Sequence, residues 1–141
     1  MRNDIGDQEK LDYAKVFFQN DRFATETTGI TIEAVDDCYA RCSFLVEQKH
    51  LNANNVVMGG AIFTLADFCF AVASNMSGQS TVSVSNTISY LHPMNGKKLI
   101  AESECIRRGK SVCFYCIHIE DELQTKIAIV NVTGSIIGKR D

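Results

Sequence analysis

The longest apolar stretch of the chain, residues 58–74, carries a single charge, Asp67. Such a composition predicts a helix that is buried on most sides. The stretch is shorter than the roughly 20 apolar residues that a membrane span needs, so it predicts an internal helix instead. A carboxylate inside such a helix is costly unless it is paired, protonated or used in chemistry. Asp67 is therefore the first candidate for a functional residue.

The small and polar residues of this helix fall along one side. At about 100° per residue they form a narrow stripe, and apolar side chains occupy the rest of the circumference. The stripe predicts a cleft along the helix with Asp67 at its centre. The alternative is a structural aspartate, capped by a hydroxyl group or paired with an arginine elsewhere. The stripe consists of Gly60, Thr64, Asp67, Ala71 and Ser74.

The remaining pattern predicts one more helix and six strands. Apolar residues at helical spacing predict a helix over 7–20, with Asp7 as its N-cap. In the strand at 81–90, strict alternation predicts a hydroxyl face that begins at Thr81 and an apolar face that begins at Val82. A polar loop spans 48–57. The predicted strands are 29–36, 38–47, 81–90, 97–107, 111–120 and 125–137.

The order of these elements defines the fold class. Strands that follow one another without intervening helices predict an antiparallel sheet and the α+β class. An apolar helix needs burial on several sides, and a curved sheet with its concave face against the helix supplies it. The length of 141 residues predicts a single domain over 1–141, with no linkers or repeats.

Composition limits which binding partners and which cellular compartment are expected for the protein. A net charge of −3 and the absence of a dense basic run argue against nucleic acid as the main partner. The N-terminal residues are polar and lack the apolar stretch of a signal peptide, which predicts a cytoplasmic protein. Nothing in the pattern predicts a membrane partner.

The six cysteines are predicted to be free thiols. Cys113 and Cys116 have the spacing of a redox or zinc pair, but they lie in a predicted strand, where positions three apart point to opposite faces. The three histidines are scattered along the chain, so no metal site is predicted. We expect His50 to brace the loop and His92 to lie in a turn.

One segment resembles a known family. The run His50-Leu-Asn52-Ala-Asn-Asn-Val-Val-Met58-Gly59-Gly60, followed by Leu65-Ala-Asp67, resembles the hotdog-fold acyl-CoA thioesterases, and in particular their PaaI-like branch. The resemblance covers about residues 45–138. It implies a curved antiparallel sheet around one long buried helix, with a helical segment over 1–25 in front of it. It also implies hydrolysis of an acyl-CoA, with aryl or short to medium acyl groups as candidates.

The resemblance implies a role for each matching residue. Asp67 would be the nucleophile or the general base that activates water. The backbone N–H groups of Gly59 and Gly60 would polarise the thioester carbonyl, and free N–H groups at a helix start are suited to this task. Asn52 would position the carbonyl or the water, and Ser83 would orient the water across a dimer interface. Met58 and Thr64 would line the substrate-binding site. CoA would be contacted by the turn made of Arg107, Arg108, Gly109, Lys110 and Ser111. The alternative for this segment is an ordinary solvated turn.

The chain departs from the family pattern at Met58, where the family usually has histidine. Methionine cannot hydrogen-bond a carbonyl or carry a proton. Met58 therefore motivates a second hypothesis, a non-catalytic sensor of acyl-CoA or acyl-carrier thioesters. A third is a hotdog dehydratase, which needs a loop histidine facing a helix carboxylate, and Met58 removes the obvious candidate for that histidine. The family implies no cofactor beyond the CoA of the substrate. Because an isolated sheet exposes its edges, we expect a homodimer that assembles into a dimer of dimers.

Overall fold

The computed structural model describes residues 4–139, with side chains described over 6–138. The outer ends of the predicted 1–25 segment and 1–141 domain, residues 1–3 and 140–141, lie outside them. The predicted order of helices and strands is confirmed. The two helices are α1 (Asp4–Phe18) and α2 (Gly59–Asn75). The strands are β1 (Thr31–Asp36), β2 (Tyr39–Leu45), β3 (Gln79–Tyr90), β4 (Lys98–Arg108), β5 (Val112–Asp121) and β6 (Lys126–Lys139).

The six strands form one antiparallel sheet in the order β1-β2-β4-β5-β6-β3. Helix α2 packs against all six strands, as the prediction of a sheet wrapped around the helix requires. Three of its apolar positions, Leu65, Ala66 and Val72, are fully buried. At Gly134 in β6, an added Cβ would lie 2.8 Å from the Phe70 ring, so the helix and sheet approach closely there.

Helix α1 begins earlier than the sequence predicts. It starts at Asp4 and contains Asp7, so the prediction of Asp7 as N-cap is wrong. Its buried face, Ala14 and Phe18, packs under β1, and the Phe18 and Phe68 rings meet edge to face at 6.0 Å. A short π-helical turn, Phe23–Thr28, follows α1 and is called the π-turn below. Sequence periodicity gave no sign of it.

Strand β3 lies at one edge of the sheet and contains a bulge. Ser83 pairs with Gly134 and Ser85 with Thr133, so Val84 is an extra residue without its own partner. The prediction of two unbroken faces is therefore wrong: Thr81 and Tyr90 both face α2, although they belong to different predicted faces. Thr81 bonds to Ser74 of α2, and the Tyr90 hydroxyl donates to the Gly59 carbonyl at 2.9 Å.

A buried aspartate, Asp121, holds together the β5–β6 turn and the segment before β4. Asp121 is 1% exposed, and its two carboxylate oxygens accept four backbone N–H bonds of 2.9–3.0 Å. Burial alone would raise its pKa, but these donors outweigh burial and lower the pKa to about 2. The carboxylate thus joins the β5–β6 turn to the segment before β4. The four donors are Asn95, Gly96, Leu123 and Thr125.

A second carboxylate, Glu33, is fixed by cations on the outer face of the sheet. It contacts Arg41 at 2.8 Å and Lys98 at 2.6 Å, and it accepts a hydrogen bond from the Ser43 hydroxyl at 2.8 Å. Partial burial opposes ionisation of Glu33, but these partners together lower its pKa to about 2. The cluster therefore ties β1, β2 and β4 together.

Candidate active site

Asp67 lies on the side of α2 that faces the π-turn. A cavity of about 370 Å³ separates the two elements, and its walls include Asp67, Ala71 and Phe23. A second cavity of about 320 Å³ adjoins it towards the start of α2, and both cavities share Phe23 and Thr64. We call the two together the Asp67 cleft. The predicted cleft along α2 is therefore present, although the sequence did not identify its second wall.

Two details of the predicted stripe are wrong. Asp67 is exposed in the single chain rather than buried, because the cleft opens to solvent at this point. Ser74 does not reach the cleft. It is fully buried on the sheet side, where its hydroxyl bonds to Thr81. The stripe that lines the cleft thus runs from Gly60 through Thr64 and Asp67 to Ala71.

The Asp67 carboxylate has an environment that opposes its charge. Desolvation raises the pKa of Asp67 above its ordinary value, and the negative charge of Asp21 raises it further. Asp21 lines the same cavity from the segment between α1 and the π-turn, and desolvation raises its pKa as well. Within residues 6–138, no hydrogen bond or ion pair holds Asp67. An ionisable group of this kind in a cleft is a candidate for chemistry.

The start of α2 presents backbone donors. Met58 is the N-cap residue, and the first bonds that its carbonyl accepts come from Ala61 and Ile62. The N–H groups of Gly59 and Gly60 find no acceptor among the described residues, as expected for the first residues of a helix. Helix dipoles favour negative charge at this end. The Met58 side chain is 57% exposed and lines the cleft.

Asn52 shapes the loop before α2. Its side-chain oxygen accepts bonds from the backbone N–H groups of Asn54 at 2.9 Å and Val56 at 3.3 Å. The turn places Asn55 at a φ of 60°, a left-handed conformation that asparagine tolerates. In the single chain, Asn52 does not line the Asp67 cleft, so its predicted part in positioning substrate or water stays a prediction.

The His50 side chain braces this loop by bonding to the backbone on both sides of its ring. Nδ1 accepts the Glu47 N–H at 2.9 Å, and Nε2 lies 2.8 Å from the Thr28 carbonyl at the end of the π-turn. The ring is buried and packs on Phe44 with a centroid distance of 4.5 Å. The predicted bracing role is confirmed, and both ring nitrogens are occupied. His92 lies in the segment after β3, next to Pro93, as predicted.

The remaining predicted residues lie away from the cleft. Ser83 is half-buried on the helix-facing side of β3, and no described cavity brings it to Asp67 within one chain. Residues 107–111 comprise the last two residues of β4 and the three that connect it to β5, and together they are called the β4–β5 turn. In that turn, Arg108 donates to the Ser74 carbonyl at the end of α2 at 3.1 Å and to Gln79 at 3.2 Å. Arg107 and Lys110 are exposed, so they are the cations of the turn that a ligand can reach.

Two further features lie outside the cleft. An apolar cavity of about 400 Å³ opens beside Gly59, between the start of α2 and the segment after β3. It does not include Asp67, so we place the chemistry in the Asp67 cleft. On the outer face of the sheet, the potential ligand atoms of Glu104, Cys116 and His118 lie within 4.8 Å of one another. They are the described residues best placed to hold a metal, and they lie across the sheet from α2.

The cysteines agree with the sequence analysis. All six are free, and Cys113 faces α2 while Cys116 faces outward. None of the helices in the described part of the chain is long and apolar enough to span a membrane.

Comparison with known proteins identifies the family. Residues 54–128 match the thioesterase superfamily. A putative esterase of Archaeoglobus fulgidus is 32% identical over 117 residues, which cover 82% of this chain and 75% of the relative. Acyl-coenzyme A thioesterase PaaI of Escherichia coli is 32% identical over 126 residues, 89% of each chain. The solved structure of E. coli PaaI, from the phenylacetic acid degradation operon, matches with a TM-score of 0.85 at 27% identity and covers 93% of this chain and 96% of that one.

The chain therefore belongs to the thioesterase superfamily. The hotdog fold and the PaaI-like resemblance predicted from the segment between His50 and Asp67 are confirmed. The class of enzyme is that of the thioester hydrolases, while the residues that perform the reaction are inferred below from the geometry.

Proposed function

We propose that the chain hydrolyses the thioester bond of acyl-CoA to a free acid and CoA, with Asp67 at the centre of the reaction. One observation carries the proposal: an ionisable carboxylate faces an apolar cleft, and no described residue neutralises it. Around Asp67, the cleft is lined by Phe23, Phe63 and Phe68, which suits an aryl or a short to medium acyl group. The name of the E. coli relative, an acyl-coenzyme A thioesterase, supports the same substrate class.

Two routes are open to Asp67. As a general base, it takes a proton from water while the water oxygen adds to the carbonyl carbon, and the tetrahedral intermediate then expels CoA thiolate. As a nucleophile, it adds to the carbonyl itself, CoA thiolate leaves, and water cleaves the resulting anhydride. Both routes place negative charge on the carbonyl oxygen, and the N–H groups of Gly59 and Gly60 can stabilise that charge.

The spacing of these groups points to a site shared between two chains. Gly59 and Asp67 are eight residues apart, or about 12 Å along the helix axis, so one carbonyl cannot reach both within a single chain. Two α2 helices that run in opposite directions would bring the start of one beside Asp67 of the other. Strand β3 lies at the edge of the described sheet, and its Val82 and Val84 side chains are 46% and 63% exposed. This edge can therefore pair with the β3 strand of a second chain in the same arrangement. The proposal therefore includes a homodimer, and a dimer of dimers remains a prediction.

A complementation experiment tests the shared site. Proline is tolerated at the first helical position and removes the N–H, and its Cβ would lie 2.9 Å from the Tyr90 hydroxyl, so the exposed Tyr90 side chain must shift. With folding confirmed by circular dichroism, Gly59→Pro should impair one half of the site and Asp67→Asn the other. Each variant alone should be inactive, and unfolding and refolding them together should restore part of the activity. No restored activity from a mixture that forms dimers by light scattering would contradict the shared site, as would a monomeric wild-type protein.

CoA recognition is assigned to the β4–β5 turn. Arg107 and Lys110 are exposed and can meet phosphates, whereas Arg108 is already bound to backbone and side-chain oxygens of the protein. The roles of Gly109 and Ser111 as backbone or hydroxyl donors belong to the same proposal. No resident cofactor is proposed, and the cytoplasmic location stays a prediction.

The central experiment compares Asp67→Asn with wild-type protein on a panel of aryl, short-chain and medium-chain acyl-CoAs. We expect kcat to fall by about 10²- to 10⁴-fold because the substitution removes the base or nucleophile. Released CoA should be measured by chromatography, since the partly exposed free thiols of Cys38 and Cys105 can react with thiol reagents. The matched control is Asp12→Asn, the same change at an exposed position of α1. Full activity of Asp67→Asn would place the chemistry elsewhere.

Met58 favours one second candidate, a non-catalytic sensor of acyl-CoA or acyl-carrier thioesters. Its thioether stands at the helix start and cannot donate a hydrogen bond to a carbonyl. A sensor would bind acyl-CoA tightly in both wild-type and Asp67→Asn protein, without turnover of any substrate in the panel. Calorimetric titration beside the CoA-release assay separates the two functions.

A further inference from the structure

The segment that joins α1 to the π-turn places a second carboxylate in the Asp67 cleft. The backbone of Asp21 is held at both sides: its N–H donates to the Phe18 carbonyl at 3.0 Å, and its carbonyl accepts the Thr25 N–H at 2.9 Å and the Thr25 hydroxyl at 3.0 Å. The side chain is thereby directed to the cavity that it shares with Asp67. The position is therefore a product of the local fold.

A local structural role does not account for the Asp21 side chain. An aspartate that follows a helix usually accepts a bond from a nearby backbone N–H, as a cap or a turn brace. No donor among residues 6–138 bonds to the Asp21 carboxylate, and the helical turn that follows it has no side-chain cap. An isosteric amide at this position should therefore leave the fold intact.

Of the charged residues that line the cavity of Asp67, only Asp21 and Asp67 lack an ion-pair partner among the described residues. Helix α2 contributes no charge but Asp67. The π-turn side contributes Arg22, whose Nε contacts Glu26 at 3.1 Å on the exposed surface. At the far end of the cleft lie Lys49 and His50, and the latter has both ring nitrogens bonded. Both carboxylates are exposed in the single chain, and the apolar side chains of the walls reduce the screening between them on the cavity side.

We propose that Asp21 is a positioning residue for Asp67, acting across the cavity by like-charge repulsion that makes the Asp67 carboxylate a stronger base. The inference rests on the proposed function and deepens it. A carboxylate of ordinary acidity holds its charge too well to take a proton efficiently near neutral pH, and an adjacent negative charge corrects this. Because Asp21 acts on Asp67 and not on the substrate, its effect should fall on kcat and on the pH profile rather than on KM.

The experiment compares Asp21→Asn and Asp21→Glu with wild-type protein. In Asp21→Asn, we expect the acidic limb of the kcat/KM profile to move to lower pH and the plateau kcat to fall by about two- to tenfold, with KM unchanged. Asp21→Glu keeps the charge and should retain a profile close to wild type. Asp12→Asn should change neither, and circular dichroism should show that all variants are folded.

A second measurement does not depend on turnover. The Asp67 carboxyl carbon should be titrated by NMR in wild-type and Asp21→Asn protein, and we expect its midpoint to move to lower pH in the variant. Identical midpoints overturn the role of Asp21, even if both proteins hydrolyse acyl-CoA. A shifted midpoint in a protein without hydrolysis overturns the proposed function alone, because the coupling of the two carboxylates then stands without the reaction.

Discussion

Asp67 and Asp121 are the same residue type in opposite surroundings. Asp121 is almost completely buried, yet four backbone donors lower its pKa to about 2. Asp67 is exposed in the single chain, yet desolvation by its neighbours and then the negative charge of Asp21 raise its pKa, because the nearby protein offers no donor to offset them. Burial alone therefore does not separate a structural carboxylate from a reactive one. The hydrogen-bond donors that surround the carboxylate distinguish the two.

The contrast between Asp67 and Asp121 can be tested by mutation, and the largest change in stability is expected at Asp121. In Asp121→Ala, four partly buried backbone N–H groups lose their acceptor, so the free energy of unfolding should fall by about 2–4 kcal/mol. Denaturant unfolding measures this change. Asp121→Asn keeps an acceptor oxygen and should lose less. A stable Asp121→Ala protein would mean that solvent replaces the carboxylate and that its backbone donors do not distinguish Asp121 from Asp67.

Acid should act on the two kinds of carboxylate with opposite sign. Asp121 and Glu33 both have folded-state pKa values of about 2, below their unfolded values, so their stabilisation is present above about pH 4.5 and is lost as pH falls towards 2. Asp67 and Asp21 have raised pKa values, so their repulsion is relieved as pH falls. We expect the loss of stabilisation at Asp121 and Glu33 to exceed the relief of repulsion at Asp67 and Asp21, so Tm should decrease between about pH 5 and pH 2. A Tm that rises over this range would contradict the assignment.

The same contrast extends to two neighbouring arginines. Arg108 is bound to Ser74 and Gln79, so Arg108→Ala should reduce stability by about 1–2 kcal/mol by removing these bonds at the end of α2. Arg107→Ala should leave stability unchanged and instead raise KM for acyl-CoA. Acyl-pantetheine lacks the nucleotide, so its KM should not respond to Arg107→Ala. An equal effect of this substitution on both substrates would remove the turn from CoA recognition.

The smallest effect is expected for the stability of Asp67→Asn. Removing a charge that its surroundings disfavour should leave Tm unchanged or slightly higher at neutral pH, even as activity is lost. Differential scanning calorimetry at pH 7 measures the difference. A clear decrease in Tm would show that the Asp67 carboxylate has a structural partner, and the distinction from Asp121 would fail.

Regular patterns in the sequence predicted most of the fold. The single charge in an apolar run located α2 and Asp67, and alternation located the strands, because both depend on residues close in sequence. The bulge at Val84 was missed, since it depends on how β3 meets its neighbour. Asp21 was missed for a similar reason: after the end of a helix, Asn20-Asp21 is typical of an ordinary turn, and only the folded chain brings it to Asp67.

The two edges of the sheet differ, and the difference bears on how far the sheet can extend. Strand β1 has six residues and a bulge at Glu33, and α1 packs against it, whereas β3 has twelve residues and no neighbour beyond it in the described chain. Joining two β3 strands about a two-fold axis would leave a β1 at each end of the combined sheet. Because a short, kinked strand is a poor template for another chain, assembly in this direction would terminate at two copies. The asymmetry thus favours a closed particle over a growing linear polymer.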